Sequence, residues 1–238
     1  MSKQIYQLGP VQYGFPDPKL ALDEPDGLLA FGGDLTIQRL KLAYKSGIFP
    51  WFSEDEPIMW WSPSTRAVIE LSDFHISKSL KKYQQKNNFK ISINTQFKSV
   101  IDGCQQQRIN EEGTWITDDM KQAYLALHTL EIAHSIEVSL NDKLVGGLYG
   151  IMQNGVFCGE SMFHTMTNTS KLASWALVNW LKQHNAHFID CQLTNPYLTS
   201  LGATELTRCD FLTKLKLANK FKMPSDMWKP QQLDNIYE

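Results

Sequence analysis

The chain has 238 residues, 42% of them apolar and 20% charged, with a formal net charge of -2. It is apolar enough to fold throughout and long enough for one principal core plus a smaller unit, and it has no apolar run near the ~20 residues that span a bilayer. The opening, MSKQIYQLGPVQYG, lacks a basic segment followed by an apolar stretch, so the expected location is the cytoplasm, with no membrane partner.

The near-neutral total speaks against a uniformly basic nucleic-acid binder, but the charge is unevenly spread. Residues 1–62 carry eight acids against five bases, with Glu54, Asp55 and Glu56 in a row. Residues 74–101 hold six lysines and no acid. The four cysteines, Cys104, Cys158, Cys191 and Cys209, form no C-x-x-C pair, which argues against a zinc ribbon or a thioredoxin-type centre. No metal site and no cofactor are expected.

In chain order, the first part reads as loops and turns (P-D-P, P-D-G, G-G-D), followed by a short helix with Leu35, Leu40, Ala43 and Tyr44 on one period and a stop at Gly47. The prolines around PIMWWSP suggest a boundary, giving a small N-terminal domain, 1–65, and a larger one, 66–238. Ala67 to Leu71 reads as a strand. Ser77 caps a basic helix, Lys78 to Lys86, with Lys78, Lys82 and Lys86 on one stripe. Phe89, Ile91 and Ile93 alternate as a half-buried strand. Thr95 and Thr117 start two further helices.

A meander follows: strands over Ser135 to Leu140, Leu144 to Met152 and Val156 to Phe163, turning at Asn141-Asp142 and Asn154-Gly155. A long helix over Ser170 to His184 leads into a strand over His187 to Leu193. A short helix ends near Gly202, and a last helix spans Asp210 to Lys220. Strands, a crossover helix and a returning strand predict an α+β fold similar to the acetyltransferase-like core, a mixed β-sheet with flanking helices. In such a core a site forms where the two parallel strands splay.

Four stretches carry more. GLLAFGGDL (27–35), SGIFPWF (46–52) with WWSP (60–63), EEGTWIT (111–117), and CGESMF (158–163) with IDCQLTN (189–195) together resemble the bacterial leucyl/phenylalanyl-tRNA–protein transferases, collinearly from Gly14 to Leu212. The resemblance implies a small amino-terminal domain before an acetyltransferase-like (GNAT-like) one. It implies transfer of Leu or Phe, and to a lesser extent Met, from aminoacyl-tRNA to proteins beginning with Lys or Arg, which marks them for degradation. The reaction is aminolysis of an ester. It needs no ATP or metal, and an acceptor α-amine with a pKa of ~7.7–8.0 is already partly neutral. What remains is to align amine and carbonyl, accept a proton and stabilise the oxyanion.

By period two, Asp190 and Gln192 share a strand face and Cys191 points away. The resemblance makes this pair the activators of the acceptor amine; the plain alternative is an ordinary polar strand face. Asn195 closes the motif as a substrate contact. Glu160 matches a residue that bonds the aminoacyl group, although a carboxylate there could instead hold the acceptor's basic side chain or a structural ion pair. Leu148, Phe157 and Met162 are candidates for the aminoacyl pocket, and equally good core residues. Trp51 and Trp115 match the family's stacking positions for the tRNA 3' adenosine, whereas Trp60 and Trp61 read as packing. The stripe of Lys78, Lys82 and Lys86 suits phosphates of the acceptor stem. The expected partners are Leu-tRNA, Phe-tRNA and the acceptor proteins, with no DNA, and the chain is expected to act as a monomer. The rival readings are an acyl-CoA N-acetyltransferase, a cysteine acyl-enzyme through Cys191 with His134 or His164, and a noncatalytic tRNA-binding module. FHTMTNTSK has no glycine-rich turn for a pyrophosphate, which disfavours the first.

Overall fold

The structure, a computed structural model, describes residues 4–10, 12, 14–111, 114–224 and 226–237. In the first quarter of the chain, β1 (Tyr6–Leu8), β2 (Leu28–Gly32), α1 (Ile37–Lys45), β3 (Phe49–Pro50) and β4 (Met59–Trp61) form a small sheet in the order β1-β2-β4-β3, with one helix. The sequence predicts only the helix here. The strands are two to five residues long, lack alternation, and pair far along the chain, Tyr6 with Ala30 and Leu28 with Trp61. Thr36 caps α1 by accepting from the Arg39 N–H, and the helix stops at Gly47, whose φ is +75°. A Cβ there would also lie 2.7 Å from Leu212 Cδ2, so glycine is required twice over.

The remaining elements are β5 (Thr65–Glu70), α2 (Lys78–Lys86), β6 (Lys90–Ile93), α3 (Phe97–Glu111), α4 (Asp118–Thr129), β7 (Ala133–Leu140), β8 (Lys143–Gln153), β9 (Val156–His164), α5 (Thr169–Gln183), β10 (Phe188–Gln192), α6 (Pro196–Ser200), β11 (Thr204–Thr207), α7 (Arg208–Ala218) and β12 (Gln231–Gln232). Among the described residues they build an eight-stranded sheet in the order β11-β5-β10-β9-β8-β7-β6-β12. The β7–β8–β9 meander sits where the sequence places it, with Asn141, Asp142 and Asn154 taking the positive φ its turns need. Among the described residues β9 and β10 are the one parallel pair in this sheet, and α5 connects them. This is a mixed α+β fold.

Each face of the large sheet carries an apolar core. On one lie Val68, Val100, Tyr124, Tyr149, Phe188 and Phe211 with α3, α4 and α7. That cluster continues into Leu29, Leu40, Tyr44 and Trp60 of the first 64 residues. The sheets therefore divide near the expected boundary, but the interior does not. On the other face α5 and α2 pack, and residues 227–236 close over the sheet with Met227, Trp228, Leu233 and Ile236.

Candidate active site

The last residue pair joining β9 to β10 is Cys158 with Asp190. Beyond it β9 runs on to His164 on the β8 side, while β10 stays with β5 as far as Gln192. The two parallel strands thus part, as expected, at Gly159. A Cβ on Gly159 would meet nothing nearer than Asp190 O and Ile189 Cγ2, each at 3.9 Å, so the start of the gap is open. Two register shifts shape its rims. In β9, Ser161 pairs with Tyr149 and Gly159 with Gly150, which leaves Glu160 as the extra residue of a bulge. In β10 the register shifts between Asp190 and Gln192, and Gln192 takes φ +58°. The simple alternation expected for Asp190 and Gln192 therefore ends at Asp190.

Asp190 is buried and bound. Arg66 Nε donates to its Oδ1 at 2.7 Å and Nη2 to its Oδ2 at 2.8 Å. Both side chains are about 2% exposed. The Gln192 N–H also donates to Oδ1, at 3.0 Å. Arg66 in turn lies over the rings of Phe49 and Phe211, 4.7 and 4.6 Å from their centroids, and donates to the Gly47 carbonyl. Burial works against its charge, but the Asp190 carboxylate more than offsets that, so the guanidinium stands above its ordinary value. Gln192 Nε2 is enclosed with no hydrogen-bond partner among the described residues. An orphaned donor of this kind marks a place where a ligand atom would be welcome.

Glu160 is half-buried on the same face as Asp190. Tyr44 of α1 donates to its Oε1 at 2.8 Å and Tyr124 of α4 to its Oε2 at 2.7 Å, and the two phenol oxygens also touch each other. Burial pushes the Glu160 carboxyl up to about 7 against the two tyrosine hydrogen bonds, with the Asp190 charge adding to the rise. Burial, then the Glu160 charge, holds both phenols well above their usual range, so they remain donors.

The other predicted residues spread around this gap. Leu148, Phe157 and Met162 pack into the core on the α5 side, opposite Asp190 and Glu160. Trp51, 44% exposed, follows α1 and stands edge-on to Trp61 at 5.7 Å, while half-buried Trp115 precedes α4. Trp60 is fully buried and donates to Gly32 O, a packing role as expected. Glu112 and Gly113 of the EEGTWIT motif lie outside the described residues. Asn195 caps α6, accepting from the Leu198 N–H at 2.8 Å, so its carbonyl is occupied and its amide NH₂ faces solvent. Lys78, Lys82 and Lys86 are exposed on α2 and have no acidic partner among the described residues. The Cys191–His134 reading fails on distance, because β8 and β9 separate their strands, about 14 Å at ordinary strand spacing. His134 is instead stacked on Trp228 and bonded to Asn94, and burial pushes the Cys191 thiol far up. Among the described residues no group of three or more His, Cys, Asp and Glu side chains is placed to hold a metal ion, and no helix is long and apolar enough to cross a membrane.

Family models for the leucyl/phenylalanyl-tRNA protein transferase match residues 68–216 and, for its N-terminal domain, residues 33–64. Leucyl/phenylalanyl-tRNA–protein transferase of Pseudoalteromonas translucida is 62% identical over 238 residues, the full length of both chains. The protein of the same name from Pectobacterium atrosepticum is 49% identical over 97% of each chain. The chain belongs to the leucyl/phenylalanyl-tRNA–protein transferase family. It is thus one of a family of aminoacyltransferases. Among solved structures, FemX aligns over 72% of this chain and 66% of its own, with a TM-score of 0.49 and 10% identity.

Three residues at the centre of this transferase's candidate site have no site role in the sequence reading. Tyr44 and Tyr124 look like ordinary members of apolar helix stripes, and Arg66 like the last residue before a strand. A signal was nonetheless present. Arg66 stands directly before the apolar run Ala67-Val68-Ile69 and Asp190 interrupts an apolar strand, and charged residues in such settings are almost always paired.

Proposed function

We propose that the chain transfers Leu or Phe, and less readily Met, from aminoacyl-tRNA to the N-terminal Lys or Arg of acceptor proteins in the cytoplasm, as a monomer, marking them for degradation. The amine attacks the ester carbonyl directly, and no covalent intermediate forms on the protein. One observation carries this reading: the strands part at Gly159 between a carboxyl poised near neutrality and an unpartnered carboxamide. In this reading the aminoacyl side chain passes through the gap toward Leu148, Phe157 and Met162 on the α5 side of the sheet, and Glu160 and Gln192 contact the polar atoms around the ester. Asn195 offers its free amide to the substrate. Trp51 and Trp115 take the terminal adenine, whose stacking is worth ~1–3 kcal/mol. The unit from residue 66 onward then works as an acetyltransferase-like domain, with residues 1–65 as a smaller domain before it. An acyl-CoA reading is less well supported, since Thr169 and Ser170 in the first turn of α5 are buried, leaving little room there for a pyrophosphate.

The test is a transfer assay without ATP, using purified protein, Leu-tRNA or Phe-tRNA and a peptide beginning with Arg. Tagged peptide is the expected product. Equal transfer to a peptide beginning with Ala would rule out the acceptor assignment.

Two variants probe the parts. Gly159→Ala is expected to fold and transfer, since the added methyl meets only ordinary contacts at 3.9 Å. Gly159→Leu fills the gap and should lower kcat on the order of 100-fold with an unchanged melting temperature, the size of effect expected of a misplaced substrate. Normal turnover by the leucine variant would move the site elsewhere. Replacing Lys78, Lys82 and Lys86 together by alanine should weaken tRNA binding and reduce the slope of log K against log salt by about 3, as three lost contacts to duplex phosphates require. An unchanged slope would leave α2 as a solvated face.

A further inference from the structure

We propose that Arg66 is a positioning residue of the transfer reaction: its two-pronged grip on Asp190 holds the turn that sets the Gln192 carboxamide at the gap between β9 and β10, and Asp190 takes no proton from the acceptor amine. The assignment rests on the transferase reading above and says which side chain does what within it.

The geometry leaves Asp190 little else to do. Its Oδ1 receives Arg66 Nε and the Gln192 N–H, and its Oδ2 receives Arg66 Nη2. It is 1% exposed, so an incoming amine has no approach to it that does not first displace a guanidinium. The guanidinium is itself clamped between Phe49 and Phe211 and tied to Gly47 O. Gln192 stands differently. It sits at the end of β10, past the last pair with β9, in a left-handed conformation that a non-glycine residue adopts only when its surroundings impose it. The Gln192 N–H to Asp190 Oδ1 bond spans this turn, and the side chain beyond it has an enclosed Nε2 with no partner among the described residues. The chain of command runs from Arg66 through Asp190 to the backbone of Gln192 and then to its amide. The acceptor's proton then leaves to Glu160 or to water.

The experiment compares wild type, Arg66→Met, Asp190→Asn and the double variant R66M/D190N in the Leu-tRNA transfer assay, with tRNA binding and melting temperature measured alongside. Methionine keeps an apolar stem between two aromatic rings, and asparagine keeps Oδ1 for the Gln192 N–H, so the double variant removes both charges and leaves the turn its acceptor. Each single variant strands one buried charge or loses half the clamp, and is expected to lose about 100-fold in kcat with little change in KM for tRNA. The double variant should recover to within about tenfold of wild type, and its kcat should keep the wild-type dependence on pH. A double variant that folds and binds tRNA yet stays as slow as D190N, or whose kcat no longer rises with pH as wild type does, makes Asp190 the proton acceptor and overturns the proposal. A double variant that does not fold overturns it as well, because the charges would then be needed for the core itself. Wild-type protein that transfers nothing sinks the functional reading, an outcome separate from these.

Discussion

Replacing Asp190 by alanine should cost the fold about 3–5 kcal/mol, because it strands the Arg66 guanidinium in the interior without a counter-charge. For a chain of this length that corresponds to a fall in melting temperature on the order of 10 °C. The pair is buried on both sides and doubly hydrogen-bonded, which separates it from the exposed Lys90–Asp142 bridge, where a similar loss would go unnoticed. The consequence is practical. Lost transfer by Asp190→Ala cannot be assigned to chemistry until the variant is shown to be folded at the assay temperature. A melting temperature within about 2 °C of wild type would mean that the ion pair contributes little in solution.

The second large effect concerns Glu160. Its carboxyl rises from an ordinary 4.5 to about 7 in the folded chain. Below 4.5 both folded and unfolded forms hold the proton and the shift has no effect. Between 4.5 and 7 the unfolded chain releases its proton first, so stability falls as pH rises; above 7 the loss is complete and constant. Glu160→Gln is neutral throughout. Its stability relative to wild type is therefore expected to increase from pH 4.5 to 7 and then level off, by no more than about 3 kcal/mol given the residual solvent contact of the side chain. Denaturant unfolding at pH 5 and pH 8 reads this directly, and an equal difference at both values would place the carboxyl at its ordinary pKa. Transfer moves the other way: kcat should drop on the order of 100-fold while tRNA still binds. A variant more stable at pH 8 and less active is what a side chain kept for function rather than for folding produces.

How much of this was legible in the sequence depends on the distance over which each feature is encoded. The meander, α5 and the return strand could be read because each is long, periodic and bounded by its own turn residues, as at Asn141-Asp142 and Asn154-Gly155. β11, Thr204–Thr207, could not: TELT is short and polar, and becomes a strand only because β5 offers its edge. Glu160 and Gln192 were found as motif residues, but their environments were not. The tyrosines that hold Glu160 lie 116 and 36 residues away, and the arginine that holds Asp190 lies 124 residues away. Period-two reasoning also assumed an unbroken strand, whereas both rims of the gap are bulged. Local patterns predict elements; the pairing of buried charges across elements fixes the site.

Tyr44 belongs to α1, within the first 64 residues, yet its hydroxyl rests on a carboxylate of the large sheet, and its neighbours Leu40 and Trp60 share an interior with Val68 and Tyr149. Cutting the chain between the two sheets would therefore do more than remove an appendage. The leftover fragment would present a raw apolar flank and a carboxyl missing one of its two phenol donors. Unfolding should pass through a single calorimetric peak. Grafting the amino-terminal part of a distant relative onto this sheet should succeed only when the graft brings a phenol to the position of Tyr44.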